Sequence, residues 1–377
     1  KEDTMSKKVI VAGHICIDIT PVFPDKKVAN LGDLLLPGKL IEMKEADVHT
    51  GGCVANTGLA MKILGADVSL MGKVGKDSFG EMVLGILDKY HASEGMIVDE
   101  AQSTSYSVVL AVPGIDRIFL HNPGANHTFL EKDIPDEALK EADLLHFGYP
   151  PIMRSMFEND GEELVKLLKR AKEAGLATSL DLAAVDADSP AGKADWKTIL
   201  QNVIPYVDFF VPSIEELCFM IDRPRFEEWQ QRAGDGDITE ILEIERDIKP
   251  LAKQCMSYGA KVLLLKCGAP GMYYCSANEE VLQKIGAKVS LNVSDWAGKE
   301  GFEKSYEPEL VLSGTGAGDT SIAAFLTAMT EGECLEDAVK LATATGALCV
   351  ASYDSLGGLK PLAEVKEKIA AGWQKRK

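Results

Sequence analysis

Near the C-terminal end of the chain, Gly316-Ala317-Gly318-Asp319 sets three small residues directly ahead of a carboxylate, and an apolar-periodic segment follows at once. Ile322, Phe325, Leu326 and Met329 recur at helical spacing, and Gly332 is the expected stop. A glycine-rich turn feeding a helix N-terminus leaves backbone N–H groups unpaired at the positive end of the helix dipole. Such a turn binds anions and suits a phosphate. A bound phosphate would repel an acid placed there unless the acid had its own task, such as taking a proton from a nucleophile. Asp319 is therefore the candidate general base, with Gly316, Ala317 and Gly318 as the cradle for phosphoryl oxygens. The same spacing also fits a plain strand-to-helix turn capped by Asp319, and spacing alone does not choose between the two.

A second set of candidates lies at the other end of the chain. Val9-Ile-Val-Ala-Gly13 reads as a buried first strand. Asp18 follows it, where open α/β sheets place their ligand crevice, although a solvated loop acid is the plainer reading. Gly51-Gly52 opens a helix that ends at Gly65; paired glycines let a backbone approach a ligand closely, and Asn56 lies on the first turn. A further helix starts around Gly72-Lys-Val-Gly75-Lys-Asp77-Ser78-Phe79-Gly80, with Ser78 and Glu81 as a capping box. Its stripe of Phe79, Met82, Val83, Ile86, Leu87 and Tyr90 is core. The six histidines show no His-Glu-x-x-His; His14, His121 and His146 border the expected crevice and read as structural.

These residues need a rigid frame. From residue 142 strands and helices alternate: strands at 144–147, 177–182, 207–211 and 261–266, with helical patterns between them. Alternation at this spacing means right-handed βαβ units and a parallel sheet. Residues 106–112 and 118–121 flank a Pro-Gly turn and read as a β-hairpin. Together with the irregular stretch 21–50 the hairpin forms a small β unit apart from the α/β body, placed to act as a lid that excludes water. The expected division is an α/β core of 1–20, 51–102 and 125–377 with a lid of 21–50 and 103–124.

Bulk properties narrow the chemistry. With 40 basic against 58 acidic residues the chain carries a net charge of −18, which argues against nucleic acid or an anionic membrane as partner. A local nest of N–H groups can still bind a small anion against that field. The eight cysteines include no C-x-x-C pair, several lie in apolar runs, and a reducing, cytoplasmic setting is the simplest expectation. No apolar run is long enough to span a membrane. A P-loop and a dinucleotide fingerprint are both missing.

The stretch Ser313-Gly314-Thr315-Gly316-Ala317-Gly318-Asp319 resembles the second signature of the ribokinase-like (PfkB) carbohydrate kinases, Asp-Thr-x-Gly-Ala-Gly-Asp. Its last four residues match, while Ser313 and Gly314 replace the leading Asp-Thr. Gly51-Gly52 with Asn56, and Gly72-x-x-Gly75-x-Asp77-x-Phe79-Gly80, resemble the first signature. The resemblance implies a ribokinase-like α/β fold, a central mostly parallel sheet flanked by helices with a small β-sheet lid. It implies ATP-dependent phosphorylation of a primary hydroxyl on a sugar of the ribose, fructose or 2-keto-sugar type. Mg²⁺ would bridge the nucleotide phosphates, and the lid would mediate a homodimer.

By similarity, Asp18, Gly51, Gly52 and Asn56 would bind sugar hydroxyls, joined by Asn126 of the Gly124-Ala-Asn126 stretch that follows the hairpin. Ser213-Ile-Glu-Glu216 stands at the family's Asn-x-x-Glu motif, so Glu216 would organise Mg²⁺ through water and Ser213 would face the nucleotide. Lys266-x-Gly268-x-x-Gly271 matches the nucleotide-side glycine turn, with Thr315 on the same side. The replaced Asp-Thr pair helps shape a potassium site in that family, so monovalent-cation activation does not carry over. Where ribokinases keep a sugar-binding glutamate this chain has Phe147-Gly148-Tyr149, and an unaltered ribokinase pocket is not expected. Those two rings leave a nucleoside kinase of the same family open, by offering a stacking face to a base. A non-catalytic sugar-binding protein on this fold is the third reading. The stretches 222–258 and 278–309 exceed the compact sugar kinases.

Overall fold

The computed structural model describes residues 6–24, 28, 30–113, 117–352 and 354–377. The Lys8–Gly13 strand is buried on both faces from Val9 onward, the mark of a central parallel strand. It pairs in parallel with Asp67–Met71 on one side and Leu144–Gly148 on the other. Beyond Leu144–Gly148 follow Ala177–Asp181, Phe209–Phe210 and Val262–Lys266, all parallel. Gly271–Ser276 and Glu300–Lys304 then complete an eight-stranded sheet as antiparallel edge strands. The stretch 278–309 is thus an extension of the sheet. The stretch 222–258 folds as helices Arg223–Ala233 and Lys249–Ser257, tied by Arg232 to the buried Asp247 at 2.6 Å.

Alternate side chains of the central strand enter different cores. Val9 and Val11 pack in the core that holds helices Cys53–Leu64, Ala317–Thr330 and Leu335–Cys349. Ile10 and Ala12 face the core of Glu162–Glu173, Trp196–Val203 and Ile214–Ile221. The sheet is therefore covered on both faces, as a two-residue side-chain period requires. Among the described residues no helix is long and apolar enough to cross a membrane.

The lid is a four-stranded sheet in the order Ala46–Gly51, Cys16–Pro21, Tyr106–Leu110, Ile118–Asn122. The expected hairpin is present, with Leu110 opposite Ile118; residues 114–116 of its turn lie outside the described residues. Cys16–Pro21 pairs within this smaller sheet, with Asp18 opposite His49. One expectation, the cap at Ser78, needs correction. The helix Ser78–Asp88 is capped by Asp77, whose side chain accepts from Gly80 N at 2.8 Å, while Ser78 is already helical. Asp77 prevails because its second oxygen also accepts from Thr104 N at 2.7 Å, anchoring the entry to the lid.

Strand order reverses at the central strand, since Asp67–Met71 was laid on one side and all later strands on the other. A crevice opens outside the carboxyl ends of strands at such a point. At the strand tips Gly13 and Gly148 pack so tightly that a Cβ on Gly13 would lie 2.2 Å from the Gly148 carbonyl oxygen.

Candidate active site

A cleft of about 1070 Å³ occupies this crevice, bounded by strand tips, the lid and the first turn of the Ala317–Thr330 helix. Gly316 caps that helix in the left-handed region, φ 77°, with no side-chain cap. The leading amides of Ala317–Thr330 have no acceptors inside the helix, and they stand at its positive end, beside the cleft residues Gly314, Thr315 and Gly316. Of the expected cradle residues, Gly316 lines the cleft, while Ala317 N donates to the Gly314 carbonyl at 3.4 Å.

Asp319 sits in the same turn, buried, with its carboxylate reaching the cleft. Three side chains donate to it. Asn56 Nδ2 lies 3.0 Å from Oδ2 and Thr57 Oγ1 3.3 Å from Oδ1, both from the Cys53–Leu64 helix that the Gly51-Gly52 pair opens. The Tyr149 hydroxyl lies 2.8 Å from Oδ1 and 2.7 Å from Oδ2. Asn56 is itself fixed, because Ser355 Oγ donates to its Oδ1 at 3.0 Å. Donors on several sides hold the carboxylate in one orientation, as a base requires. Burial and the neighbouring Asp319 carboxylate hold the Tyr149 phenol well above its usual range, so it remains a donor.

The lid side carries the other candidates. Gly52 has φ 85°, and a Cβ there would lie 2.5 Å from His14 Nδ1; a Cβ on Gly51 would lie 2.1 Å from Asp18 Oδ2. Glycine at both positions lets the backbone pack directly against His14 and Asp18. Asp18, Gly52 and Asn56 line the cleft. His14 and His121 line it too, with their Nε2 atoms 3.3 Å apart, and His121 Nδ1 lies 3.0 Å from Ser107 Oγ. Burial depresses both imidazoles, so one ring donates and the other accepts. His146 is buried beneath, with Nδ1 2.9 Å from Ser179 Oγ.

Further along the strand tips, Lys266 Nζ lies 2.5 Å from Asp181 Oδ2 and close beside Gly318. Burial pushes the Asp181 carboxyl up to about 7 against the pull of Lys266, with Glu216 and Asp319 adding to the rise. Asp181, Glu216 and Asp319 thus share one ammonium, which leaves an excess of negative charge. Among the described residues no three potential ligands converge on one point that could hold a metal ion. A divalent cation would fit here only with most of its ligands from phosphate and water, offsetting that excess.

Several expected residues are placed elsewhere. Asn126 is buried outside the cleft: its Oδ1 accepts from Ile15 N at 3.1 Å, and its Nδ2 donates to the carbonyls of Ile15 at 2.9 Å and Pro123 at 3.0 Å. It is a clamp on the lid root and has no amide group left for a sugar. The Ser213 hydroxyl is spent on a helix cap, accepting from Glu216 N at 3.2 Å, while Glu216 Oε2 accepts from Ser213 N at 3.3 Å. Glu216 still lines the cleft and Ser213 does not. Gly268 and Gly271 shape the turn after Val262–Lys266, against Thr239 and Glu303, away from the cleft lining. Phe147 is buried against Phe129, so the expected Phe147–Tyr149 pair does not form a stacking face.

Sequence reasoning missed Thr57, Ser355 and Asp181. Asp181 carries a readable signal, an acid at the carboxyl end of a parallel strand. Ser355 carries none.

The family model for pfkB family carbohydrate kinases matches residues 6–359. Fructokinase-2 of Oryza sativa subsp. japonica is 25% identical over 374 residues, covering 96% of this chain and 94% of its own length. Ribokinase of Lactococcus lactis subsp. lactis is 26% identical over 365 residues, covering 96% and 97%. Among solved structures, ribokinase of Arabidopsis thaliana complexed with ribose and ATP aligns with a TM-score of 0.70 at 20% identity, over 96% of this chain and 98% of that one. A fructokinase from Xylella fastidiosa with bound ATP gives 0.69 at 18% identity, over 97% and 99%. The eight-stranded sheet with its small second sheet is therefore a ribokinase-like fold.

Proposed function

The chain belongs to the pfkB family of carbohydrate kinases, and from that premise we propose that it transfers the γ-phosphoryl group of ATP to a primary hydroxyl of a sugar. The observation that carries the proposal is the pairing, in one helix turn, of an anion cradle at Gly316–Gly318 with an oriented carboxylate at Asp319. Asp319 takes the proton of the acceptor hydroxyl, a contribution of roughly two to four orders of magnitude in rate. The first-turn amides stabilise the phosphoryl oxygens, at about 2.7–4 kcal/mol for each well-placed donor. Lys266 stands beside Gly318 as a fixed positive charge for the nucleotide phosphates. Mg²⁺ bound to those phosphates would neutralise their charge, and Glu216 is the residue to hold its waters. Asp18, the Gly51-Gly52 backbone and the His14–His121 pair offer the polar contacts for sugar hydroxyls.

The sugar is of the ribose, fructose or 2-keto-sugar type; the burial of Phe147 removes the Phe147–Tyr149 stacking face on which a nucleoside reading rested. The oriented base disfavours a non-catalytic binder. Eight free thiols support a reducing, cytoplasmic setting. Exposed apolar side chains on the lid, among them Leu35, Leu36 and Leu40, support a homodimer through the lid.

The test is ADP release from MgATP across ribose, fructose, 2-keto-3-deoxygluconate, adenosine and inosine, with and without K⁺, beside Asp319→Asn protein. One sugar giving turnover, lost by about 10²–10⁴-fold in the variant, is the expected result. Turnover that survives in Asp319→Asn would refute the role of the base.

A further inference from the structure

We propose that in the sugar-free protein the Tyr149 hydroxyl occupies the seat on Asp319 that the acceptor hydroxyl takes during transfer, and so masks the base from water until a sugar displaces it. The proposal rests on the kinase reading above and deepens it. Asp319 is reached from two directions by the Cys53–Leu64 helix, through Asn56 at 3.0 Å and Thr57 at 3.3 Å. Both of those residues are buried. Tyr149 comes from a different element, the tip of the Leu144–Gly148 strand, and both it and Asp319 line the cleft. Its hydroxyl straddles the carboxylate at 2.8 and 2.7 Å. An alcohol awaiting deprotonation must donate to that carboxylate from the cleft. The phenol O–H already does so, and it is the same kind of donor.

The backbone supports a task for this side chain. Tyr149 has φ 69°, in the left-handed region that L residues with bulky side chains rarely adopt. Glycine would adopt this conformation without strain. A tyrosine held in that conformation next to the base points to a function of the side chain. The phenol also stays protonated, since burial and the Asp319 charge oppose its ionisation.

The mask answers a problem that the cleft poses. In the side reaction, the oxygen of water bonds to the γ-phosphorus, its proton passes to Asp319, and the bond from phosphorus to the ADP oxygen breaks. Water has only the carboxylate to hold it there and competes poorly with a tethered phenol. A sugar brings further contacts to Asp18 and the lid root, and that binding energy displaces the phenol.

The experiment measures ADP release from MgATP without any sugar for wild type, Tyr149→Phe, Asp319→Asn and the double variant, then kcat and KM with sugar. Removing a hydrogen bond to a charged group corresponds to roughly 10- to 100-fold in occupancy. Sugar-free ADP release should rise by about that factor in Tyr149→Phe, vanish in the double variant, and be accompanied by a lower KM for sugar. Tyr149→Gly, which suits the positive φ, should raise sugar-free release in the same way and guards against a folding defect peculiar to one variant. A merely structural tyrosine would lower both activities; sugar-free release that does not rise in either variant overturns the proposal. Wild-type sugar turnover with no such rise would leave the kinase reading standing alone. An Asp319-dependent rise without turnover of any sugar would uphold the mask and refute the sugar acceptor.

Discussion

Substituting Gly316 by alanine tests the base and the cradle together. Gly316 has φ 77°, and an added Cβ would lie 2.3 Å from Ser355 Cβ. The left-handed conformation costs alanine about 1–2 kcal/mol, and overpacking adds about 1–3 kcal/mol. Ser355 cannot give way freely, because its Cα also lies 3.2 Å from the added atom. Whatever shift occurs passes along Ser355 Oγ to Asn56, 3.0 Å away, and from Asn56 to Asp319, another 3.0 Å. The expected result for Gly316→Ala is a loss of about 2–5 kcal/mol in stability, read from urea unfolding, with a fall in kcat. In a Ser355→Gly background the closest contact, to Ser355 Cβ, is gone and the loss should shrink toward the conformational part, about 1–2 kcal/mol. The double-mutant coupling is therefore about 1–3 kcal/mol. Additive effects, with coupling below about 0.5 kcal/mol, would refute the steric chain from Gly316 to the base.

Two further outcomes are expected. His146 is buried with its folded pKa lowered to about 3, mainly by burial. Its neutral form stabilises the native state fully above the unfolded value near 6.5, and that stability is lost as pH falls toward the folded value. The cost is about 2 kcal/mol at pH 5, so His146→Gln should lose less stability between pH 7.5 and 5 than wild type; equal losses would contradict the assignment. For the lid, light scattering should give twice the chain mass, and Leu36→Lys with Leu40→Lys should give a monomer with unchanged circular dichroism. A wild-type monomer at micromolar concentration would refute the lid dimer.

The parts legible from sequence are those written in local pattern. The β-branched run at 9–13, the strand–helix alternation after 142 and the turn before Asp319 each carry their signal within about twenty residues, and all appear in the fold. The site is assembled from distant parts and was only half legible. Ser355 meets Asn56 across 299 positions, and Tyr149 meets Asp319 across 170; no spacing rule links them. Asn126 misled because a buried amide serves a main chain as readily as a sugar, and the choice depends on which way it faces. Cys16–Pro21 follows the central strand after only two residues, and only its partners, Ala46–Gly51 and Tyr106–Leu110, assign it to the smaller sheet.

The clamp at Asn126 has a consequence for building with this fold. The chain first enters the lid at Ile15 and last leaves it at Pro123, and one side-chain amide bonds to both carbonyls and to the Ile15 amide. The first and the last crossing are thereby stitched into a single collar. A lid transplanted from a relative to change sugar preference must bring both of its segments and leave this collar whole. A graft that replaces only the hairpin inherits the host's stitch and the donor's strand, and its root will be the seam that fails.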